Sequence, residues 1–217
     1  MGAQLSLSAR TSPSIAIFSY IDVLNEVHYV SQLNSSMFLK TCKGLDPNGE
    51  VVIKVFIKPN EDFDLKGIQQ AITQEALVLA PLPTALNFSK VIESNRAGYL
   101  IRQHLKSNLY DRLSSRPYLL DIELKFMTFQ ILQALANIHE ANVTHGDIKT
   151  ENILVTSWNW LLLTDFSSFI KPTYLPEDNP GEFSFYFDTS KRRTCYVAPE
   201  RFDSEQHDNP SNSNSPV

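Results

Sequence analysis

Two short apolar runs, Ile153-Leu154-Val155 and Leu161-Leu162-Leu163, carry the strongest constraint in this 217-residue chain. The first is preceded by His145-Gly146-Asp147-Ile148-Lys149-Thr150-Glu151-Asn152, and the second runs directly into Thr164-Asp165. Apolar runs this short, separated by a bend at Trp158 and Asn159, read as two buried strands. Charge beside a buried strand is costly unless it is paired or used. Any fold must therefore gather these charged ends into loops where their chemistry is satisfied.

The rest of the chain is compatible with such a core. Hydrophobic residues make up 42% and aromatics 11%, enough to exclude wholesale disorder. The formal net charge of −5 argues against a general electrostatic grip on nucleic acid, which needs basic patches. Cys42 and Cys195 lie far apart and form neither a metal pattern nor a disulfide framework, which fits a reducing compartment. No secretory signal and no apolar run long enough to span a bilayer is visible, so a cytoplasmic protein is expected unless another device ties it to a membrane. Met1-Gly2-Ala3-Gln4-Leu5-Ser6 is such a device, because it fits the pattern for N-myristoylation of Gly2. A single acyl chain anchors only marginally. Arg10 is the only basic Lys or Arg in the first thirty residues, so the second membrane signal is expected from a partner.

The order of elements reads as strands, a helix, strands, then helices and a small hairpin. Residues 1 to 25 read as an arm. Strands are expected in Glu26-to-Val30, Met37-to-Lys43 and Glu50-to-Ile57, with a hairpin turn in the stretch Asp46-Pro47-Asn48-Gly49-Glu50. A helix is expected over 66 to 80, closed by Pro81 and Pro83, with Ile68, Ile72, Glu75 and Leu79 on one face. A strand over 98 to 103 leads to a linker at 103 to 108 and a long helix over 121 to 141, in which Ile122, Phe126, Phe129, Gln130, Gln133 and Leu135 share mixed faces. The polar stretch from 203 to 217 is expected to be disordered. The fold class is α+β and two-lobed, with an upper lobe over 26 to 102 and a partial lower lobe over 103 to 202.

Several landmarks then fall in order on these elements: Val51-Val52-Ile53-Lys54 on a strand, His145-Gly146-Asp147 with Asn152 after the long helix, Asp165-Phe166-Ser167 after the hairpin, and Ala198-Pro199-Glu200. Together they resemble the protein kinases, with their strand lysine, catalytic loop, metal-binding Asp-Phe-Gly and Ala-Pro-Glu. The resemblance implies roles for each. Lys54 would hold the α- and β-phosphates of ATP and pair with Glu75, an acidic residue on the apolar helix face. Asp147 would accept the proton of a substrate hydroxyl, and Lys149 resembles the lysine that serine/threonine kinases place beside the transferring phosphate. Asn152 and Asp165 would hold magnesium ions, and Gln103 and Leu105 would meet the purine base at the hinge, with Arg102 facing the adenine pocket. His145 reads as a packed structural residue.

Three departures weigh on activity. Gly146 stands where kinases carry an arginine that orders the activation segment. Ser167 replaces a glycine and loses its access to positive φ. The stretch Tyr29 to Phe38, where a glycine-rich phosphate loop belongs, has no glycine.

With Met1 to Ser6 and the run from Leu175 to Phe202 added, the chain resembles the N-terminal kinase domain of the vacuolar protein sorting kinases, the myristoylated regulatory subunits of class III phosphatidylinositol 3-kinase. That resemblance implies partnership with the lipid kinase catalytic subunit and its accessory subunits. It also implies a peripheral location on endosomal, vacuolar, Golgi or autophagic membranes, and a role in sorting and autophagy. It implies further helices after Ala-Pro-Glu, so the chain is expected to be truncated, with a weakly stable lower lobe. Two functions stand side by side: an ATP-dependent serine/threonine kinase, favoured by Lys54, Asp147, Asn152 and Asp165, and a catalytically weak scaffold, favoured by the three departures. A metabolic phosphotransferase fits less well, because Lys149 and the Ala-Pro-Glu segment point to protein kinases.

Overall fold

A computed structural model of the protein describes residues 17–35 and 39–166. Gly2, Cys195, Ser167, the Ala198-Pro199-Glu200 segment and the 203–217 stretch lie outside the described residues.

The chain enters through helix α1 (Phe18–Ile21) and strand β1 (His28–Ser35), followed by β2 (Lys40–Asp46), β3 (Gly49–Ile57), helix α2 (Lys66–Leu79) and strands β4 (Ala85–Leu86), β5 (Lys90–Glu93) and β6 (Ala97–Gln103). Helices α3 (Leu109–Ser115) and α4 (Asp121–Glu140), a 3-10 turn at Thr150–Asn152 and strands β7 (Ile153–Val155) and β8 (Leu161–Thr164) complete it. Strands β1-β2-β3-β6-β5 form an antiparallel upper sheet, and β4-β8-β7 a small lower one. The lower sheet joins the lobes: β4, which follows the upper helix, pairs parallel with β8, and Thr164 Oγ1 donates to Leu86 O at 2.9 Å.

The two cores are separate. In the upper one, Val51, Ile53 and Val55 alternate along β3 and pack with Tyr99 and Ile101 of β6, as period-two patterning requires. Gly44 sits where a Cβ would lie 2.7 Å from Ile53 Cδ1, so close packing demands glycine there. Ile17, Tyr20, Ile21 and Leu24 belong to the same core, and Tyr99 Oη donates to Tyr20 O at 2.8 Å. The upper lobe therefore includes part of the expected 1–25 arm. The reason is the helical spacing of those four residues, which buries one face of a short turn.

Three other expectations shift. Strand β1 runs to Ser35, through most of the stretch expected to form a phosphate loop, with bulges at Tyr29/Ser31 and Gln32/Asn34. No glycine supplies a left-handed turn there, so the sheet continues. Helix α4 buries Met127, Gln130, Ala134 and Ile138, while Ile122, Phe126 and Phe129 are exposed. It carries two apolar stripes; among the described residues the one facing the lower sheet is buried, and on the other Phe126 meets the Trp160 ring edge-on at 5.6 Å. Helix α3 and the short strands β4 and β5 lie in stretches that the sequence pattern leaves unassigned; Asn108 caps α3 by accepting from Asp111 N–H at 2.7 Å.

Candidate active site

The site is assembled from the register of the upper sheet and from the two loops that flank the lower one. Lys54 pairs with Leu100, and Val52 with Arg102, across β3 and β6. Directly opposed residues share a face, so Lys54 and Arg102 are diagonal neighbours. They lie on the face opposite Val51, Ile53 and Val55. The sheet thus aims two cations away from its own core.

Asp165 meets both. Lys54 Nζ lies 3.0 Å from Asp165 Oδ2. Arg102 Nε donates to Oδ1 at 3.0 Å and Nη2 to Oδ2 at 3.4 Å, and Nη1 donates to Gln103 O at 3.2 Å. Burial pushes the Asp165 carboxyl up, but Lys54 and Arg102 outweigh it and hold it at about 2. Burial also lowers the Lys54 ammonium, opposed chiefly by Asp165. Asp165 adopts φ of +64°, in the left-handed region that residues with a Cβ seldom occupy.

Lys54 therefore pairs with Asp165 rather than with Glu75, the partner expected from the sequence; the charges acting on it are Asp165, Arg102 and Asp147. Glu75 does lie on the buried face of α2 with Ile72 and Leu79. Burial pushes its carboxyl up to about 7, so the environment favours the protonated acid.

The catalytic loop is tied together from within. Asn152 is buried, and its Nδ2 donates to Asp147 O and Oδ2, both at 2.8 Å. Lys149 Nζ lies 2.8 Å from the same Asp147 Oδ2. His145 is fully buried: its Nε2 lies 2.9 Å from Thr164 O, and its Nδ1 accepts from Asp147 N–H at 3.2 Å. These partners fix the tautomer with the proton on Nε2. Burial lowers its pKa, first among several causes, so His145 is a neutral brace joining the loop to the end of β8. Its ring also packs against that of Phe166, tilted by 41° with centroids 4.6 Å apart. Gly146 has φ of +78°, so the residue that stands in place of arginine occupies a conformation that glycine adopts without strain.

Gln130 is a supporting residue that sequence patterning placed on the long helix without a role. Its Nε2 donates to Asn159 O and its Oε1 accepts from Leu161 N–H, both at 3.0 Å. One amide thus fixes the β7–β8 turn against α4 and sets where Asp165 emerges. Gln103 ends β6 and Leu105 lies two residues beyond it, flanking His104, whose N–H donates to Glu50 O at 2.9 Å; Gln103 is exposed and Leu105 half-buried.

The donor set suits a hard divalent ion in kind: Asp165 offers carboxylate oxygens, and Asn152, with its Nδ2 committed to Asp147, offers Oδ1. The fit is conditional, because both Asp165 oxygens already accept from cations. No cluster of three or more His, Cys, Asp or Glu suited to a metal occurs among the described residues.

Comparison with protein-family models matches residues 34–215 to the protein kinase domain. The chain is similar to the serine/threonine-protein kinase VPS15 of Saccharomyces cerevisiae, 71% identical over 99% of this chain and 15% of that protein. It is similar to proteins of the same name in Arabidopsis thaliana, 46% identical over 85% of this chain and 12% of the relative, and in Schizosaccharomyces pombe, 45% identical over 93% and 12%. The chain spans about 15% or less of the length of these relatives.

Proposed function

The chain belongs to the protein kinase domain family, and on that premise we propose that it serves the full-length protein as an ATP-dependent serine/threonine kinase module. The observation that carries this reading is the bracing of Asp147 by Asn152 and Lys149, both at 2.8 Å, within the same charge cluster as the Lys54–Asp165 pair. A carboxylate held this way is ready to accept a substrate hydroxyl proton. The hydroxyl oxygen then bonds to the γ-phosphorus, the bond to the β–γ bridging oxygen breaks, and ADP leaves. Lys54 neutralises phosphate charge, and Lys149 stands beside the Asp147 carboxylate, where charge is transferred. Asp165 and Asn152 would hold magnesium, which supplies charge neutralisation between the phosphates.

Full-length wild type should transfer phosphate from ATP to a serine/threonine peptide, and Asp147→Asn should not. Equal rates from both proteins would overturn the kinase reading.

A second reading has its own observation. Arg102 occupies Asp165 and β1 extends to Ser35 across most of the phosphate-loop stretch, both of which favour a catalytically weak scaffold with a structural nucleotide site.

The wider role proposed here is that of a regulatory subunit of class III phosphatidylinositol 3-kinase, bound to its catalytic and accessory subunits and acting in vacuolar sorting and autophagy. Its support is the 45–71% identity to proteins named VPS15 together with the motifs described above. No helix among the described residues is long and apolar enough to cross a membrane. Membrane attachment is assigned to myristoyl-Gly2, on endosomal, vacuolar, Golgi or autophagic surfaces. Gly2→Ala should abolish incorporation of a myristate analogue and release the protein from the membrane fraction; unchanged labelling would contradict it.

A further inference from the structure

Arg102, expected from the sequence to face the adenine pocket, commits its guanidinium to Asp165 and Gln103 O instead, and the kinase reading leaves this strongly buried cation without a task. Its side chain is 8% exposed and is fixed at three points, two on Asp165 and one on Gln103 O. It is therefore built into the site and is not a surface arginine that happens to reach a carboxylate. Its two contacts engage both oxygens of Asp165, the same oxygens that a divalent ion would need.

The local charges sharpen the conflict. Lys54, Arg102 and Lys149 are cationic, and Asp147 and Asp165 are anionic, so the cluster is net positive by one. Without Arg102 it would be neutral. An arriving dication meets this extra charge at close range and in a partly dry setting, where Coulomb repulsion is least screened.

We propose that Arg102 is a positioning residue that competes with the divalent ion for Asp165, so that nucleotide binding at this site is only weakly coupled to metal. The inference rests on the nucleotide-site reading given above. Metal and nucleotide become coupled only when the guanidinium leaves Asp165, and the guanidinium is then free to meet another anion.

The experiment uses the full-length protein, as wild type, Arg102→Met and Arg102→Gln, each checked for folding by circular dichroism. Mn2+ alone is titrated and followed by its electron-spin resonance signal. The variants are expected to bind at least about tenfold more tightly than wild type; equal affinity in all three overturns the proposal. In a second arm ATP is titrated with magnesium or with EDTA. Wild-type affinity should change less than about threefold and the variants' at least about tenfold. A tenfold dependence already present in wild type overturns the proposal by itself, even if neither variant folds. If no protein binds ATP while Mn2+ still separates variants from wild type, the nucleotide reading fails and the role of Arg102 stands.

Discussion

Arg102 and Asp165 form a two-pronged ion pair, Nε to Oδ1 at 3.0 Å and Nη2 to Oδ2 at 3.4 Å, that links the last strand of the upper sheet to the residue after the last strand of the lower one. Asp165 also holds Lys54 at 3.0 Å. Remove the aspartate and two buried cations face each other. Asp165→Asn should therefore cost about 3 kcal/mol of folding stability or more. In that background Arg102→Met should be neutral or stabilising, whereas in wild type it should destabilise. Denaturant unfolding of the four proteins checks this. Additivity within about 0.5 kcal/mol would mean that the pair carries no coupling.

Asn152 acts on Asp147 through one amide group that serves its carbonyl and its carboxylate. Asn152→Ala frees the loop and removes one oxygen donor for a metal. Phosphate transfer by the full-length protein should fall by about a hundredfold, with the larger change in kcat than in KM. A change confined to KM would assign Asn152 to substrate binding alone.

Glu75 makes stability depend on pH. Its carboxyl stands at about 7 in the fold against an ordinary 4.5. Between those values the folded protein keeps a proton that the unfolded chain has lost. Stability must therefore fall as pH rises through that window, by at most about 3 kcal/mol. Glu75→Gln should remove this slope. Melting curves at pH 5 and pH 8 compare the two proteins: wild type should lose more stability over that interval than the variant, and parallel changes would show that Glu75 does not titrate in this range.

Gly146 has φ of +78°, so restoring the arginine usual in kinases conflicts with the backbone. Gly146→Arg should destabilise by about 1–2 kcal/mol, read from the denaturant midpoint. A neutral result would show that the loop relaxes to negative φ.

The charged loops were legible in the sequence because their chemistry is local. Asp147, Lys149 and Asn152 lie within one short stretch, and their mutual contacts follow from it. The strand lysine was legible too, as a charge among Val51, Ile53 and Val55. Its partner was not: Lys54 selects Asp165 rather than Glu75 because of where β8 delivers the aspartate. That position depends on the β4–β8 pairing and on the Gln130 amide, contacts between residues far apart in the chain. Arg102 had a usable signal, since antiparallel pairing of β3 with β6 puts it diagonal to Lys54, but the register has to be known first. The burial of Ile17, Tyr20, Ile21 and Leu24 was written in their helical spacing and was hidden by the polar residues before them. The buried face of α4 was ambiguous because the helix carries two apolar stripes, and only packing selects between them.

Transfer of labelled γ-phosphate from ATP to a serine/threonine peptide by the full-length protein, compared between wild type and Asp147→Asn with ATP binding measured in parallel, tests the kinase assignment most directly. Asp147 is braced by Asn152 and Lys149 as a proton acceptor, so transfer should drop at least about a hundredfold in the variant while ATP affinity stays within about threefold. Equal transfer by both proteins, or none by either while ATP still binds, would contradict catalysis through Asp147 and leave a nucleotide-binding scaffold.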